Sequence, residues 1–272
     1  SIRRQRQMCI RDSNYGIAKN NIDPGSIASG SWNSNAHSNN PNDVGLGYSN
    51  NSPGHRFFLM ASYRKEFFSF GATTLTAFYE KRTIGNASYT VSGDLNGDGS
   101  STNDLIYIPL NKSEMNFQTY TLNASGGNPA VTFTAEQQAD AWEAYILQDE
   151  YLSAHRGEYA GRGAVFMPLI SNLDLSLSQD LFTDIGGRRN KLQFRVDILN
   201  VANLINQDWG LGQRFVTTTP LTTASSNTDA FGRAQYRLRN INRELLKPQT
   251  FEQTAGINDV YRIQFSLRYT FN

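Results

Sequence analysis

The segment from Val260 to Phe271 alternates strictly between two kinds of side chain. Its odd-numbered positions from Tyr261 to Phe271 are aromatic or aliphatic, and its even-numbered positions from Arg262 to Thr270 are polar. Because side chains in an extended strand alternate between its two faces, one face of this strand suits an apolar medium and the other suits water. This pattern favours the wall of a transmembrane β-barrel, which has lipid outside and an aqueous lumen inside.

Composition argues against a helical membrane protein but leaves a barrel open. Hydrophobic residues make up 39% of the chain, mean hydropathy is -0.50, and no apolar run approaches the ~20 residues of a spanning helix. A barrel strand meets lipid only at every second residue, so its hydropathy averages out. The formal net charge of +1 gives no reason to expect nucleic acid as a partner.

Four further segments carry a strand pattern, and long polar stretches separate them. The predicted strands are Arg56–Arg64, Gly71–Arg82, Leu169–Phe182 and Lys191–Ala202. The predicted long loops are 14–53, 85–167 and 203–259. Outer-membrane barrels have short periplasmic turns and long extracellular loops, so this alternation predicts that every long connection lies outside the cell.

Side chains at the predicted strand ends and on the polar faces fit the same interpretation. An interfacial girdle is expected at the periplasmic end, from Phe67, Phe68, Phe70, Leu181, Phe182, Tyr269 and Phe271. The charged residues of the polar faces are expected to line the lumen, more often as cross-strand ion pairs than as contacts to a plug or a cargo. They are Arg64, Glu80, Asp174, Lys191, Arg195, Asp197, Arg262 and Arg268.

Several segments resemble the C-terminal part of TonB-dependent outer-membrane receptors, in particular the Oar-like branch of Bacteroidetes-type bacteria. They are 88–109 (SYTVSGDLNGDGSSTNDLIYIP), 172–181 (NLDLSLSQDL), 194–206 (FRVDILNVANLIN) with Trp209-Gly210, and the terminal RYTF. The resemblance covers residues 14–272. It implies about five strands of a 22-stranded antiparallel transmembrane barrel, with long extracellular loops, one of which carries a short helix.

The same resemblance implies a role in transport and no enzymatic activity. The parent protein would import a scarce nutrient, whether siderophore, vitamin, peptide or glycan, across the outer membrane of a Gram-negative bacterium. A plug and a region that contacts the TonB complex would lie upstream of this chain. Tyr269 and Phe271 resemble the terminal signal that the barrel assembly machinery reads, although Asn272 departs from the family's aromatic end.

Residues 1–13 do not share the pattern of the rest. They are basic and without periodicity, and they resemble translated sequencing-adapter read-through. We therefore expect a non-native leader there, with a short basic tail as the alternative, and a barrel domain over 14–272.

The segment Asp94-Leu95-Asn96-Gly97-Asp98-Gly99 mimics the start of a calcium-binding loop, because oxygen ligands stand at alternate positions and glycine at the sixth. Leu105 occupies the position of the usual bidentate Glu, which leaves Asp104 and its neighbour Asn103 as imperfect substitutes. An Asx-rich turn is the alternative interpretation.

A helix is predicted from Thr134 to about His155, with Thr134 and Gln137 forming a capping box. Its stripe of Ala135, Ala139, Trp142 and Ile146 is expected to pack on the barrel rim, or else to contact a ligand. Candidate cargo contacts among the predicted extracellular aromatics are Trp32, Trp142, Tyr145 and Trp209.

Two other classes of protein remain open from the sequence. A passive porin or an adhesin-like barrel would share the strands and the girdle. A soluble β-sandwich, such as a carbohydrate-binding module, would bury the apolar face of each strand and expose the opposite face to solvent.

Overall fold

The computed structural model describes residues 6–23, 27–38, 40–67, 70–185 and 188–271. Strands account for 46% of the chain and helices for 14%, and the main sheet is antiparallel, which confirms the β-rich fold class. In the part of the chain that the structure describes, no helix has the length and apolar character needed to cross a membrane.

Six strands form the main sheet in the order of the sequence, each antiparallel to the next. They are β1 (Arg6–Gly16), β2 (Gly54–Phe67), β3 (Gly71–Thr83), β4 (Leu169–Ile185), β5 (Arg188–Leu199) and β6 (Arg262–Thr270). Within the described residues, no further strand pairs with the outer edge of β1 or of β6. The sheet is therefore open at both sides.

The five predicted strands are confirmed as β2 to β6, with ends that differ by a few residues. Strand β5 ends at Leu199, although it was predicted to continue to Ala202. The backbone instead turns at Asn200, whose φ is +52°, and a short helix follows from Val201. The Asn200 N–H donates to Asp174 Oδ1 at 2.8 Å, which fixes this turn against β4.

Strand β1 was not predicted, because residues 1–13 were set apart and 14–53 was taken as a loop. The structure pairs β1 with β2 from Arg6 opposite Arg64 to Gly16 opposite Gly54. The edge of β2 offers unpaired backbone N–H and C=O groups, and these can pair with a segment that lacks any side-chain alternation. A non-native origin for residues 1–13 stays a prediction.

Connections alternate between the two ends of the sheet. Two short turns link β2 to β3 and β4 to β5 at one end, and three long connections lie at the other. Within the described residues, four α-helices occur in or beside the long connections, namely α1 (Ala28–Ser34), α2 (Ala135–Gln148), α3 (Glu150–Ala154) and α4 (Val201–Ile205).

The connections 84–168 and 200–261 fold together into one unit, which we call the loop domain. Leu221–Thr228 pairs with Ala234–Leu238 and also, in parallel, with Val91–Ser92 of the other connection. The remaining short elements of the loop domain are Asn86–Ala87, Lys112–Glu114 (a 3-10 helix), Tyr120–Leu122, Val131–Phe133, Val165–Phe166, Gln213–Phe215, Asn240–Ile241, Glu244–Leu245 and Phe251–Gln253.

The hydrophobic core of the molecule lies in this loop domain. Its buried members come from both connections, and they are Tyr89, Val91, Ile106, Ile108, Phe117, Trp142, Tyr145, Ile146, Leu152, Ala160, Val165, Leu221, Leu238 and Leu246. The apolar stripe of α2 packs into this core of the loop domain, whereas packing on the rim of a barrel or contact with a ligand was expected.

The predicted capping box of α2 is confirmed. Thr134 Oγ1 accepts from the Gln137 N–H, and Gln137 Oε1 accepts from the Thr134 N–H, at 3.1 and 3.0 Å. The helix ends at Gln148 and does not continue to His155, because Asp149 adopts an extended conformation. Asp149 then caps α3 by accepting the Leu152 N–H at 2.8 Å.

Candidate functional site

The strand registers bring the apolar positions of neighbouring strands onto one side of the sheet, which we call the apolar face. Residues that are directly opposite in a ladder share a face. One row across the sheet is Ile263, Ile198, Leu175, Ala77 and Ala61, and the next is Phe265, Val196, Leu177, Leu75 and Tyr63. The alternation predicted for single strands is therefore coherent over β2 to β6.

Large side chains on the apolar face are uncovered. The exposed fraction is 78% for Phe265, 64% for Leu267, 53% for Phe194 and 48% for Leu177. A sheet of a soluble domain buries its apolar face against a second layer. No described element covers these four side chains, and a contiguous apolar surface of this kind is typical of a membrane or protein contact.

Charged side chains are almost confined to the opposite side, the polar face. On the apolar face of β2 to β6, between the row of Phe67 and the row of Phe57, the charged residues are Lys65 and Lys81 alone. The polar face carries Arg56, Arg64, Glu66, Glu80, Arg82, Asp174, Asp180, Lys191, Arg195, Asp197, Arg262 and Arg268.

The two lysines bracket an uncharged band. Lys81 lies opposite Phe57 in the ladder between β2 and β3, and Lys65 lies near the other end of β2. The segment from Phe57 to Lys65 matches the roughly 9 to 11 residues with which a tilted strand crosses the hydrocarbon core of a membrane.

An ion-pair network on the polar face centres on Asp180, whose side chain is 1% exposed. Asp180 Oδ2 lies 3.0 Å from Arg64 Nη1 and 3.0 Å from Lys191 Nζ, and Asp180 Oδ1 accepts from Gln193 Nε2 at 2.7 Å. The network links β2, β4 and β5. The predicted cross-strand ion pairs are thereby confirmed for Arg64 and Lys191.

A patch of large apolar side chains interrupts the polar face on β2 and β3. Phe58, Met60 and Phe78 lie there, with the rings of Phe58 and Phe78 6.2 Å apart. Phe78 is the residue that breaks the sequence alternation of β3, so the irregularity in the pattern corresponds to a real apolar patch.

Exposed apolar side chains collect at the short-turn end of the sheet, as predicted. Phe67, Phe70, Leu181, Tyr269 and Phe271 are all between 36% and 78% exposed. Phe182 lies on the polar face and does not belong with them, and Phe68 and Asn272 lie outside the described residues. Recognition of Tyr269 and Phe271 by an assembly machinery stays a prediction.

The segment 94–99 forms an Asx-rich turn. Asp94 Oδ1 accepts from the N–H groups of Gly97 and Asp98 at 2.7 and 3.1 Å, and Asp94 Oδ2 accepts from Gly99 at 2.9 Å. Asn96 Oδ1 accepts from the Asp98 N–H at 2.9 Å. Within the described ranges, no three His, Cys, Asp or Glu side chains are arranged to hold a metal ion. Calcium at Asp94, Asn96, Asp98 and Asp104 therefore stays a prediction without geometric support.

Buried polar side chains connect this turn to the first long connection. His37 is 2% exposed, and its Nε2 lies 3.0 Å from Asp98 Oδ2 and 3.1 Å from Asn103 Nδ2. Burial raises the pKa of Asp104, and the neighbouring carboxylates of Asp98 and Asp94 raise it further, although two backbone N–H groups oppose the shift.

The four aromatic residues proposed as cargo contacts do not form one site. Trp142 and Tyr145 are fully buried and stack on each other, with ring centroids 5.5 Å apart, so these rings offer no surface to a cargo. Trp32 and Trp209 are 40% and 54% exposed, on α1 and just after α4.

A polar centre that the sequence did not reveal joins the two halves of the loop domain. Asp149 is 3% exposed and accepts from Tyr89 Oη at 2.6 Å and from Thr250 Oγ1 at 2.6 Å. Burial raises the pKa of Tyr89, and Tyr145 and Asp149 raise it further. Tyr89 and Thr250 lie 60 and 101 residues from Asp149 in the sequence, so no local spacing of residues could have indicated this polar centre.

Comparisons with known proteins give no relative. The chain matches no protein-family model, no curated protein and no solved structure. Its functional interpretation therefore depends on the two-faced sheet, on the loop domain and on the sequence segments that resemble TonB-dependent receptors.

Proposed function

We propose that the sheet is part of the wall of an outer-membrane β-barrel, with the apolar face toward lipid and the polar face toward an enclosed lumen. The observation that carries this proposal is the segregation of charge over β2 to β6, which leaves Lys65 and Lys81 as the charged residues of the apolar face of these five strands. An Arg or Lys at the membrane midplane costs ~2 to 4 kcal/mol, whereas the same residue costs little on a face that meets water.

The positions of the connections support an orientation. In the proposed barrel, the end with the two short turns is periplasmic and the end with three long connections is extracellular. The loop domain then lies on the outside of the cell. Strands β1 and β6 each need a further partner, because an open sheet edge in hydrocarbon leaves backbone groups unsatisfied.

Within this frame we propose transport as the role of the parent protein, specifically TonB-energised import of a scarce nutrient. The support is the resemblance of 88–109, 172–181, 194–206 and the terminal RYTF to TonB-dependent receptors. This chain would supply barrel wall and extracellular loops, and a region outside it would contact the TonB complex. Trp32 and Trp209, which are exposed, remain proposed cargo contacts.

A labelling experiment tests the orientation of the sheet. In the product of the intact gene, with Cys9→Ser and any other native cysteine replaced, a spin label is placed at Phe265→Cys or at Gln264→Cys and the protein is reconstituted in lipid vesicles. We expect the label at 265 to collide with oxygen dissolved in the acyl chains, and the label at 264 to collide with a water-soluble nickel complex. The reverse pattern, or nickel access at both positions, would contradict the proposal.

Energy coupling needs a separate test, because a passive porin or an adhesin-like barrel would give the same labelling result. The product of the intact gene should bind the purified C-terminal domain of TonB. Absence of binding, together with a lipid-facing 265 label, would favour a passive barrel. A chain that stays monomeric in water without detergent would favour the soluble β-sandwich.

A further inference from the structure

A cleft opens on the apolar face at its long-connection end. Tyr79, Leu169 and Leu173 form part of its lining from the sheet, and Trp209 lines it from the turn that follows α4. Its volume is about 380 Å³. Gln213 and Gln253 of the loop domain add polar groups to the lining, so the cleft has an apolar part toward the sheet and a polar part toward the loops.

A second cavity of about 480 Å³ lies beside the first, and Leu169 lines both. Lys81, His55 and Tyr15 line this second cavity, and the rings of His55 and Tyr15 stack with centroids 4.3 Å apart. Lys81 stands opposite Ser171, which lines the first cleft. One lysine is therefore close to both cavities.

The ammonium group of Lys81 has no ion-pair or hydrogen-bond partner in the described part of the chain. The nearby cations of the polar face differ, because Arg56 and Arg82 both pair with Glu80, at 2.6 and 3.4 Å. Lys81 thus carries an uncompensated positive charge directly beside an apolar cleft, at the level where the uncharged band ends.

We infer that this site binds a phosphate-bearing anionic lipid of the surrounding membrane. One acyl chain lies in the cleft between Leu173 and Trp209, and the phosphate pairs with Lys81. Trp and Tyr side chains favour the interface between hydrocarbon and headgroups, where Trp209 and Tyr79 would lie. The inference depends on the proposed membrane orientation, because the cleft opens on the apolar face and away from the proposed lumen.

Lipid selectivity is the first test. The product of the intact gene is reconstituted in nanodiscs that contain equal amounts of phosphatidylglycerol and phosphatidylcholine, and native mass spectrometry identifies the lipids that remain bound. We expect Lys81→Gln to lower retention of phosphatidylglycerol relative to phosphatidylcholine by about fivefold, the effect of one lysine near an anionic surface. Lys65→Gln is the matched control, because Lys65 lies on the same face at the other end of the band.

Quenching of Trp209 fluorescence is the second test. Phosphatidylglycerol with brominated acyl chains should quench the tryptophan fluorescence of the protein more than brominated phosphatidylcholine does. Trp209→Phe should abolish this difference between the two lipids. Equal loss of phosphatidylglycerol in Lys81→Gln and Lys65→Gln, or quenching that ignores the headgroup, would overturn the inference. The spin label at position 265 distinguishes failure of the lipid site from failure of the proposed barrel wall. If the label faces lipid while one of the two contradicting lipid results is obtained, the barrel wall is still supported and only the lipid site is rejected.

Discussion

The sheet and the loop domain contain the same kinds of apolar residue in opposite surroundings. In the loop domain, Trp142, Ile106 and Ile108 have no exposed surface. In the sheet, Phe265 and Leu267 are 78% and 64% exposed. The loop domain thus has a hydrophobic core of its own, whereas these side chains of the sheet are left uncovered by the described part of the chain.

This difference predicts how each region responds to substitution. A cavity is costly only where side chains are closely packed, so large-to-small changes should damage the loop domain. A buried charge is costly only where water is excluded, so charged substitutions should damage the apolar face.

The largest effect is expected from Trp142→Ala. Loss of this fully buried ring should destabilise the loop domain by ~3 to 5 kcal/mol, because the surrounding core cannot close the cavity. Hydrogen exchange of the amides of α2 and α3 measures the change. Trp32→Ala is the control, since Trp32 is exposed. Unchanged protection in Trp142→Ala would remove the distinction between the two regions.

A pair of substitutions on adjacent residues tests the sheet. Leu175→Arg should lower the free energy of unfolding in a bilayer by ~2 to 4 kcal/mol, because Leu175 lies in the middle of the apolar face. Ser176→Arg, on the polar face, should cost far less. Denaturant titration of the product of the intact gene, folded into vesicles, measures both. Equal costs would mean that the two faces do not meet different media.

Loss of the ion-pair network on the polar face should destabilise the protein less than Trp142→Ala or Leu175→Arg does. Asp180→Asn should destabilise the folded sheet by roughly 1 to 3 kcal/mol, because Arg64 and Lys191 lose a charged hydrogen-bond acceptor. Glu66→Gln is the control, as Glu66 is exposed and pairs with Arg64 at 3.5 Å. The same titration in vesicles compares them, and a larger loss in Glu66→Gln would contradict the central role of Asp180.

The capping box of α2 tests whether a local change in the loop domain leaves the sheet unaffected. Thr134→Ala removes the acceptor of the Gln137 N–H and should destabilise the helix by ~1 kcal/mol. Hydrogen exchange of the backbone amides should accelerate in the first turn of α2 and stay unchanged in β3 and β4. Thr134→Ser, which keeps the hydroxyl, should restore protection, and failure to do so would argue against the capping bond.

The smallest effect is expected from pH. The pKa of Asp104 is raised in the folded chain, so the folded state binds its proton more tightly than the unfolded state. Asp104 should therefore stabilise the fold increasingly as pH falls through its folded pKa toward the ordinary value of 3.8. Asp104→Asn should remove this dependence. Unfolding of both proteins between neutral pH and about pH 4 measures the difference, and parallel curves would contradict the prediction.

Local patterns made β2 to β6 and the start of α2 predictable. Alternation in a strand and a capping box both involve residues a few positions apart, and each is sufficient to define its element. Strand β1 escaped prediction because its pairing with β2 depends on a free backbone edge and not on its own side chains. The burial of Trp142 and Tyr145 escaped it because their surroundings come from distant parts of the chain.

The ladder between Val91–Ser92 and Leu221–Thr228 has a mechanical consequence. It links the connection after β3 to the connection after β5 through backbone hydrogen bonds. Asp149 links the same two connections a second time by accepting hydrogen bonds from Tyr89 and Thr250. The two connections therefore cannot open one at a time like separate flaps. Anything that approaches this end of the sheet therefore meets these two connections as one joined surface.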